Sequence, residues 1–348
     1  MTGDYLWDRS GPPDPDVAQL ERVLGRLRHC PGPAPAWRAM GAAEARTTRA
    51  VRRWSMWAVP LAAAAAIVAL VVGTWRVAMT SATALAVTPL AGTPTIASRP
   101  VTDRAVWPEG RWLETDASAR AAIDVGTIGR VELAPSSRLA LVHTRPGDYR
   151  LHLARGTMQA LIWAPPGQFA LDTPTSTAVD LGCAYTMSVD DDGTGLVQVS
   201  MGWVGFEWHG RESFIPAGAA CLTRPRLGPG TPFYEDTSDT FKSALATIDE
   251  GQAPPDVRAA ALQTILREAR SHDVVTLWHL LTRVDAGERD PVFDRLASFV
   301  PPPDGVTRET VSSGRRDVLD RWWDALDLGT ASWWRTWKQQ WRDNATGK

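Results

Sequence analysis

The segment WSMWAVPLAAAAAIVALVVGTW, from Trp54 to Trp75, decides how this chain is laid out. It contains no charged residue, and as a helix it is long enough to cross the hydrocarbon core of a bilayer. Tryptophans lie near both ends of the segment, where indole rings settle at the level of the lipid headgroups. We therefore expect residues 54–75 to form a single transmembrane helix that is retained in the mature protein.

Two other interpretations of this segment compete with a retained anchor. One is a buried helix of a soluble protein. The other is a cleaved signal peptide, since Ala84-Leu85-Ala86 has the small-x-small form of a processing site. The apolar run is longer than the hydrophobic region of a signal peptide, and about fifty residues precede it. These two features favour the anchor.

The distribution of basic residues predicts the orientation of the anchor. Four arginines lie between residues 46 and 53, whereas Arg76 is followed by no further basic residue before Arg99. The positive-inside rule then places the N-terminus in the cytoplasm and the larger C-terminal part outside a bacterial inner (plasma) membrane, in the periplasm or an equivalent extracytoplasmic space. With a net charge of -2, the chain lacks the excess of basic residues that is typical of nucleic-acid-binding proteins.

The short cytoplasmic segment, residues 1–53, contains one predicted amphipathic helix. Apolar side chains recur in it at helical spacing: Val17, Leu20, Val23, Leu24 and Leu27. A helix of this length is not stable alone in water. We therefore expect its apolar stripe to bind a partner protein or the membrane surface. The alternative is a frayed helix without a specific partner.

An all-β domain is predicted beyond the anchor. Residues 76–100 are rich in Thr, Ala and Pro, with no charge from position 77 to 98, which is typical of an extended linker. Over residues 101–233, alternating runs such as RVELA, RLALVH, YRLHLA and LVQVSM are separated by turn signals. This spacing predicts an antiparallel sandwich or roll.

Five motifs follow one another in this domain: GRVELAPSS (129–137), YRLHLARG (149–156), FALDT (169–173), VDLGCAY (179–185) and VQVSMGWV (197–204). In their order and spacing, and with a single-pass anchor upstream, they resemble the periplasmic domain of FecR-type transmembrane regulators. Cys183 stands where the family has a threonine. The resemblance covers the β domain and implies a FecR-like fold for it.

The resemblance also implies a function. The exported domain would sense an envelope cue and pass it through the anchor to a cytoplasmic transcription partner, an extracytoplasmic-function sigma factor, as anti-sigma-type regulators do. The cytoplasmic segment departs from the family, because it carries only Trp7 and Trp37 and lacks the longer tryptophan-bearing sigma-binding domain. The alternative is therefore a non-catalytic envelope scaffold, or a module that binds glycan or an envelope protein, anchored in the inner membrane.

Two further predictions concern glycine and cysteine residues of the β domain. Gly156, Gly182 and Gly202 lie where a strand must bend or adopt positive φ, so we expect them to serve the architecture. Cys183 and Cys221 both fall in the exported, oxidising compartment, and a disulfide between them would stabilise the fold on the order of 4 kcal/mol. The alternative is a pair of buried thiols that pack as small apolar side chains.

Residues 236–348 are predicted to form a helical, tryptophan-rich domain. Its last segment concentrates indole side chains that helical spacing brings close together: Trp333, Trp334, Trp337 and Trp341. They indicate either an aromatic platform for a glycan or for the outer face of the membrane, or a tryptophan-rich core that packs the last helix.

Enzymatic chemistry has little support in the sequence. There is no G-x-S-x-G elbow, phosphate-cradling loop or dinucleotide fingerprint. His29 and Cys30 are adjacent, but no further Cys or His lies within ligand spacing of them. We therefore expect no catalytic residue, no metal site and no cofactor.

Overall fold

The computed structural model describes residues 85–326 and residue 328, which belong to a single compact unit. The predicted anchor at residues 54–75 lies outside the described residues. So do the predicted partner-binding helix at residues 17–27 and the tryptophans at positions 333, 334, 337 and 341. Within residues 85–326, no helix combines the length and the apolar composition that crossing a bilayer requires.

Eighteen β-strands occupy the first part of the described chain. They are β1 Leu85–Ala91, β2 Thr95–Ile96, β3 Arg99–Pro100, β4 Ala105–Trp107, β5 Trp112–Glu114, β6 Arg120–Val125, β7 Gly129–Leu133, β8 Arg138–Arg145, β9 Asp148–Ile162, β10 Phe169–Thr173, β11 Ser176–Asp180, β12 Ala184–Val189, β13 Gly195–Met201, β14 Trp203–Trp208, β15 Arg211–Pro216, β16 Ala219–Arg224, β17 Gly228–Pro229 and β18 Phe233–Tyr234.

The strands form two sheets that share one long strand. The first sheet runs from β4 and β1 through β6, β7, β9, β12, β13 and β16 to β17 and β18. The second runs from β3 through β2, β5, β8, β9, β10, β11 and β14 to β15. Every pairing described is antiparallel except that of β9 with β10. The largely antiparallel β architecture is the one that the sequence predicts.

Strand β9 passes from one sheet to the other at Gly156. Its first half pairs with β8 and β10, and its second half pairs with β7 and β12. Gly156 has φ +89°, and a Cβ atom at this position would lie 2.2 Å from Ser137 Oγ. Only glycine meets both the conformational and the steric demand, so this position allows one strand to connect two packed sheets.

The predicted linker over residues 76–100 is wrong from Leu85 onward. Strand β1 lies between β4 and β6 in the first sheet, and the side chains of Leu85 and Val87 are fully buried. Burial of each such side chain contributes roughly 1.5–3 kcal/mol. The uncharged composition that resembled a tether thus belongs to a strand buried in the core.

Six α-helices follow the strands, as the sequence predicts for the C-terminal region. They are α1 Asp239–Glu250, α2 Pro255–Glu268, α3 Val274–Leu281, α4 Arg289–Phe299, α5 Arg308–Ser312 and α6 Arg316–Ala325, with 3-10 turns at Ser271–Asp273 and Ala286–Glu288. Helix α1 begins at a capping serine, since Ser238 Oγ accepts a hydrogen bond from the Phe241 N–H at 3.0 Å. It ends at Gly251, whose φ of +68° terminates the helix in the left-handed region.

The helices share a hydrophobic core with the strands. Strand residues Val179 and Phe214 belong to the same buried cluster as Leu245, Leu277 and Trp323 of the helices. A hydrogen bond from Thr276 Oγ1 to the Pro232 carbonyl, 2.8 Å long, also joins α3 to the β region. Because apolar side chains from both regions are buried against one another, the helices and strands described here form one packed module.

Candidate functional site

The predicted disulfide between Cys183 and Cys221 is wrong, because both cysteines are free and buried. The strand register explains why they do not meet. Cys221 pairs with Val197, which pairs with Met187, and Cys183 precedes Met187 by four residues. Two strand spacings and four residue steps separate the cysteines by about 16 Å. A disulfide requires Cα atoms within roughly 7 Å.

Each thiol has its own hydrogen-bond acceptor. Cys183 Sγ donates to Asp180 Oδ2 at 2.8 Å, and Cys221 Sγ donates to the Gly230 carbonyl at 3.1 Å. Burial raises the pKa of Cys221 to about 12 and raises the pKa of Cys183 further. Both groups are therefore held as neutral thiols, which are poor nucleophiles.

The other two predicted glycine turns lie beside Cys183. Gly182 has φ +83° and Gly202 has φ +73°. A Cβ atom on Gly202 would lie 2.3 Å from the Gly182 carbonyl oxygen, so these two turns pack directly against each other. Together with Gly156, they give the sheets backbone turns that a side chain with a Cβ atom would resist.

A cleft of about 880 Å³ lies between the β14–β15 hairpin and the helices. Its walls come from the hairpin residues 209–214, the end of α1, the start of α2, the segment from α3 to α4, and one face of α6. A volume of this size falls in the range of small-molecule sites. No local motif predicts this cleft, because its lining comes from separate parts of the chain.

Asp249, at the end of α1, organises the charged wall of the cleft. Its carboxylate accepts hydrogen bonds from the Thr231 N–H at 2.6 Å and from Thr231 Oγ1 at 2.8 Å. It also accepts from Arg211 Nη2 at 2.9 Å and from Arg283 Nη1 at 3.1 Å. One buried carboxylate therefore serves two arginines, one from strand β15 and one from the segment that follows α3.

Arg283 ties the hairpin to the helices. Its side chain is only 5% exposed. Besides its bond to Asp249, it donates from Nη1 to Thr231 Oγ1 at 2.9 Å, and from Nη2 to Ser213 Oγ at 2.6 Å and the Glu212 carbonyl at 3.1 Å. A buried guanidinium with this many acceptors fixes the relative positions of the elements that supply them.

A second ion pair lines the cleft farther along the helices. Arg258 on α2 donates from Nε to both carboxylate oxygens of Glu288 at 3.0 Å and from Nη1 to the Ile248 carbonyl at 3.2 Å. Arg289 on α4 donates to the carbonyls of Leu281 and Ser312 at 3.2 and 2.8 Å. These bonds hold the helical walls of the cleft in place.

An aromatic cluster lies behind the charged wall. Phe214, on strand β15, contacts both His279 and Trp323, with ring centroids 5.9 and 5.2 Å apart, and Trp278 packs on Trp323 at 4.5 Å. His279 Nε2 accepts a hydrogen bond from the Phe214 N–H at 3.0 Å. The ring proton is thereby assigned to Nδ1, which lies 2.8 Å from the Val275 carbonyl.

The arrangement is suited to binding a polar ligand. Both arginine and carboxylate groups line the cleft, and the apolar side chains of Phe214 and Trp278 belong to the same lining. Within residues 85–326, no group of three or more His, Cys, Asp or Glu side chains is placed to hold a metal ion. These side chains can recognise the charge and shape of a ligand.

Part of the chain is similar to solved structures. No protein-family model matches the chain, and no curated protein matches it. Two crystal structures of a "putative anti-sigma factor" from Parabacteroides distasonis ATCC 8503 are similar to it at 11% sequence identity and a TM-score of 0.32. The alignments cover 45% and 44% of this chain and 74% and 73% of theirs. The FecR-type resemblance is carried by the order and spacing of the sequence motifs.

Proposed function

We propose that this chain is a FecR-like transmembrane regulator of the anti-sigma type. In this role, the module of residues 85–326 senses a cue outside the bacterial inner membrane, and residues 54–75 form the anchor. The cytoplasmic segment, residues 1–53, binds an extracytoplasmic-function sigma factor. The chain performs no catalysis in this role.

The observation that carries this proposal is the position of strand β1. It begins at Leu85, ten positions after Trp75, where the apolar segment ends. Ten residues span at most about 35 Å even when fully extended. Because β1 pairs with both β4 and β6, it belongs to the body of the first sheet. A change in the module would therefore reach the anchor through a short connection that begins in a core strand.

The cleft supports the sensing half of the proposal. It lies where the β14–β15 hairpin meets the helices, and the side chains that line it also hold these elements together. An occupant that competed for Arg211 or Arg283 would change how tightly the hairpin is held to the helices. Ligand binding would thus be coupled to the packing of the whole module.

A second candidate function is a non-catalytic envelope scaffold, or a module that binds glycan or an envelope protein. The exposed side chain of Trp163 favours it, since 65% of that residue is accessible at the end of strand β9. Exposed indole rings are frequent anchors in binding surfaces. In this case residues 1–53 would serve only to set the topology.

The two candidate functions differ in what the apolar stripe of the predicted cytoplasmic helix contacts. We would express the full-length chain in native cells, solubilise it and identify the captured proteins by mass spectrometry. The test variant replaces Leu20, Val23 and Leu24 by Asp. The matched control places the same number of Asp residues on the opposite face of the predicted helix, at Ala18, Gln19 and Gly25.

Capture of a sigma factor by the wild type and the control, but not by the stripe variant, is the result expected for a regulator. If none of the three proteins captures a sigma factor, the regulator proposal is wrong and the envelope-binding function takes its place. Equal capture by the stripe variant and the control would exclude the apolar stripe as the binding surface.

A further inference from the structure

We propose that the cleft binds its ligand through a carboxylate group and that Arg211 is the side chain that contacts this group. This inference names the ligand class of the site and rests on the proposed function only in treating the cleft as the place where the cue binds. Binding of a carboxylate can be measured whether or not the chain regulates a sigma factor.

The first argument is the local balance of charge. Arg211 and Arg283 share the single carboxylate of Asp249, whose side chain is 9% exposed. The pKa of Arg211 is lowered by burial and by the neighbouring charge of Arg283. A second carboxylate beside Arg211 would offset the unshared positive charge in surroundings where water screens it poorly.

The second argument is unused hydrogen-bonding capacity. Among the described residues, Arg211 donates one hydrogen bond, from Nη2 to Asp249. The Nε atoms of both Arg211 and Arg283 are buried and have no acceptor in the described part of the chain. Buried donors are normally satisfied, and guanidinium groups suit planar carboxylates in particular. The Arg211 side chain is 29% exposed, so a ligand in the cleft can reach the guanidinium, and the buried Nε would become available to it on reorientation of that group.

The third argument concerns the charge and shape of the ligand. The lining also contains acidic side chains that would repel a polyanion such as a polyphosphate: Glu212, Asp249, Glu250, Asp285, Glu288 and Asp320. Apolar side chains from the same walls adjoin the arginines, among them Phe214, Leu227 and Leu319. The favoured ligand therefore has one carboxylate next to an apolar group, as a peptide end does, and a cleft of about 880 Å³ admits one of dipeptide size or larger.

The test uses pools of N-acetylated dipeptides in which both residues vary, with the purified full-length protein in detergent. One pool has free C-terminal carboxylates, a second has C-terminal carboxamides, and a third has carboxamide ends with Asp as the second residue. Saturation-transfer NMR identifies the bound members of each pool, and calorimetry then measures the Kd of the best ligand.

Arg211→Gln removes the charge, and Asp249 keeps its bonds to Thr231 and Arg283, so the fold is expected to survive. The matched control is Arg224→Gln. Arg224 is 28% exposed and pairs with Glu250, but it does not line the cleft. Melting curves of both variants verify that they fold.

We expect the free-acid pool to bind and the plain carboxamide pool not to bind. Arg211→Gln should raise Kd by about 10- to 100-fold, whereas Arg224→Gln should leave it unchanged. Binding in the Asp pool would show that a side-chain carboxylate also serves, and its absence would restrict the site to peptide ends. Equal binding of acids and carboxamides, an unchanged Kd in a folded Arg211→Gln protein, or no binding at millimolar concentrations would each overturn the proposal.

Discussion

The stability of the module should fall as the pH rises from about 4 toward neutrality, and Asp180 should be the cause. This aspartate ends strand β11 and is 2% exposed. Its carboxylate accepts hydrogen bonds from the Gly182 N–H at 2.7 Å and from Cys183 Sγ at 2.8 Å. No basic side chain in residues 85–326 forms an ion pair with it. Burial consequently raises the pKa of Asp180 to about 7.

The sign of the effect follows from the two protonation states. Below about pH 4, Asp180 is protonated in both the folded and the unfolded chain, so this residue does not lower the free energy of unfolding. Between about pH 4 and pH 7, the unfolded chain releases this proton while the folded module retains it, so the free energy of unfolding falls. A pKa near 7 instead of the usual value near 4 corresponds to a loss of about 4 kcal/mol, which is complete above pH 7.

Asp180→Asn tests this origin directly. The substitution keeps the shape of the side chain and an oxygen acceptor for the Gly182 N–H, and it removes the titrating group. Urea unfolding between pH 5 and pH 8, followed by tryptophan fluorescence, should show a much shallower loss of stability for Asp180→Asn than for the wild type. Asp191→Asn is the control, because Asp191 is 86% exposed and should leave the wild-type dependence intact. Parallel pH profiles for Asp180→Asn and the wild type would refute the reasoning.

Three further predictions concern packing and thiol chemistry. His279→Leu removes the acceptor that His279 Nε2 provides for the buried Phe214 N–H, so it should lower the free energy of unfolding by about 1–3 kcal/mol. Urea titrations measure this loss, which should be smaller for His279→Gln because glutamine retains an acceptor. Gly156→Ala forces a Cβ atom against Ser137 and should lower Tm far more than the control Gly110→Ala. Gly110 also has positive φ, but an added Cβ there meets open space. Equal decreases in Tm would contradict the steric explanation. With no reductant present, Ellman's reagent should label Cys183 and Cys221 only after the protein is unfolded. If neither cysteine is labelled in the unfolded protein, the two form a disulfide and the free thiols are contradicted.

Alternation of apolar and polar residues was sufficient to predict the β architecture. In strand β9, Tyr149, Leu151 and Leu153 are buried, and the residues between them are more exposed. Alternation of apolar and polar residues with a period of two indicates which face of a strand packs against the core. The positive φ of Gly156 marks where the strand changes sheets. These are local properties, so they can be predicted from a single sequence.

The features that depend on register could not be predicted in this way. Strand β1 resembles a linker in composition, and only its pairing with β4 and β6 identifies it as a core strand. The number of residues between Cys183 and Cys221 likewise does not reveal that two strand spacings separate them. Composition reports which residues prefer burial, but the neighbours of a buried residue are set by the topology.

The candidate site shows the same dependence on long-range contacts. Arg211 meets Asp249 across 38 positions, and Arg283 meets the Glu212 carbonyl across 71. No spacing rule connects residues so far apart, because strand and helix packing brings them together. The one local sign of the cleft is the Arg211-Glu212 pair directly after the His209-Gly210 turn, and surface hairpins commonly have this composition.

The position of Arg283 explains why a ligand in the cleft would act on the module as a whole. Its guanidinium contacts strand β15 through Ser213, the loop before β18 through Thr231, and helix α1 through Asp249. Behind it, Phe214 of the same strand packs on Trp323 of α6. A ligand carboxylate that drew Arg211 away from Asp249 would strengthen the hold of Arg283 on that aspartate, because one competing donor would be removed. Binding would then exchange the Arg211–Asp249 link between strand β15 and helix α1 for a stronger Arg283–Asp249 link, a redistribution that hydrogen exchange at the Phe214 amide can report.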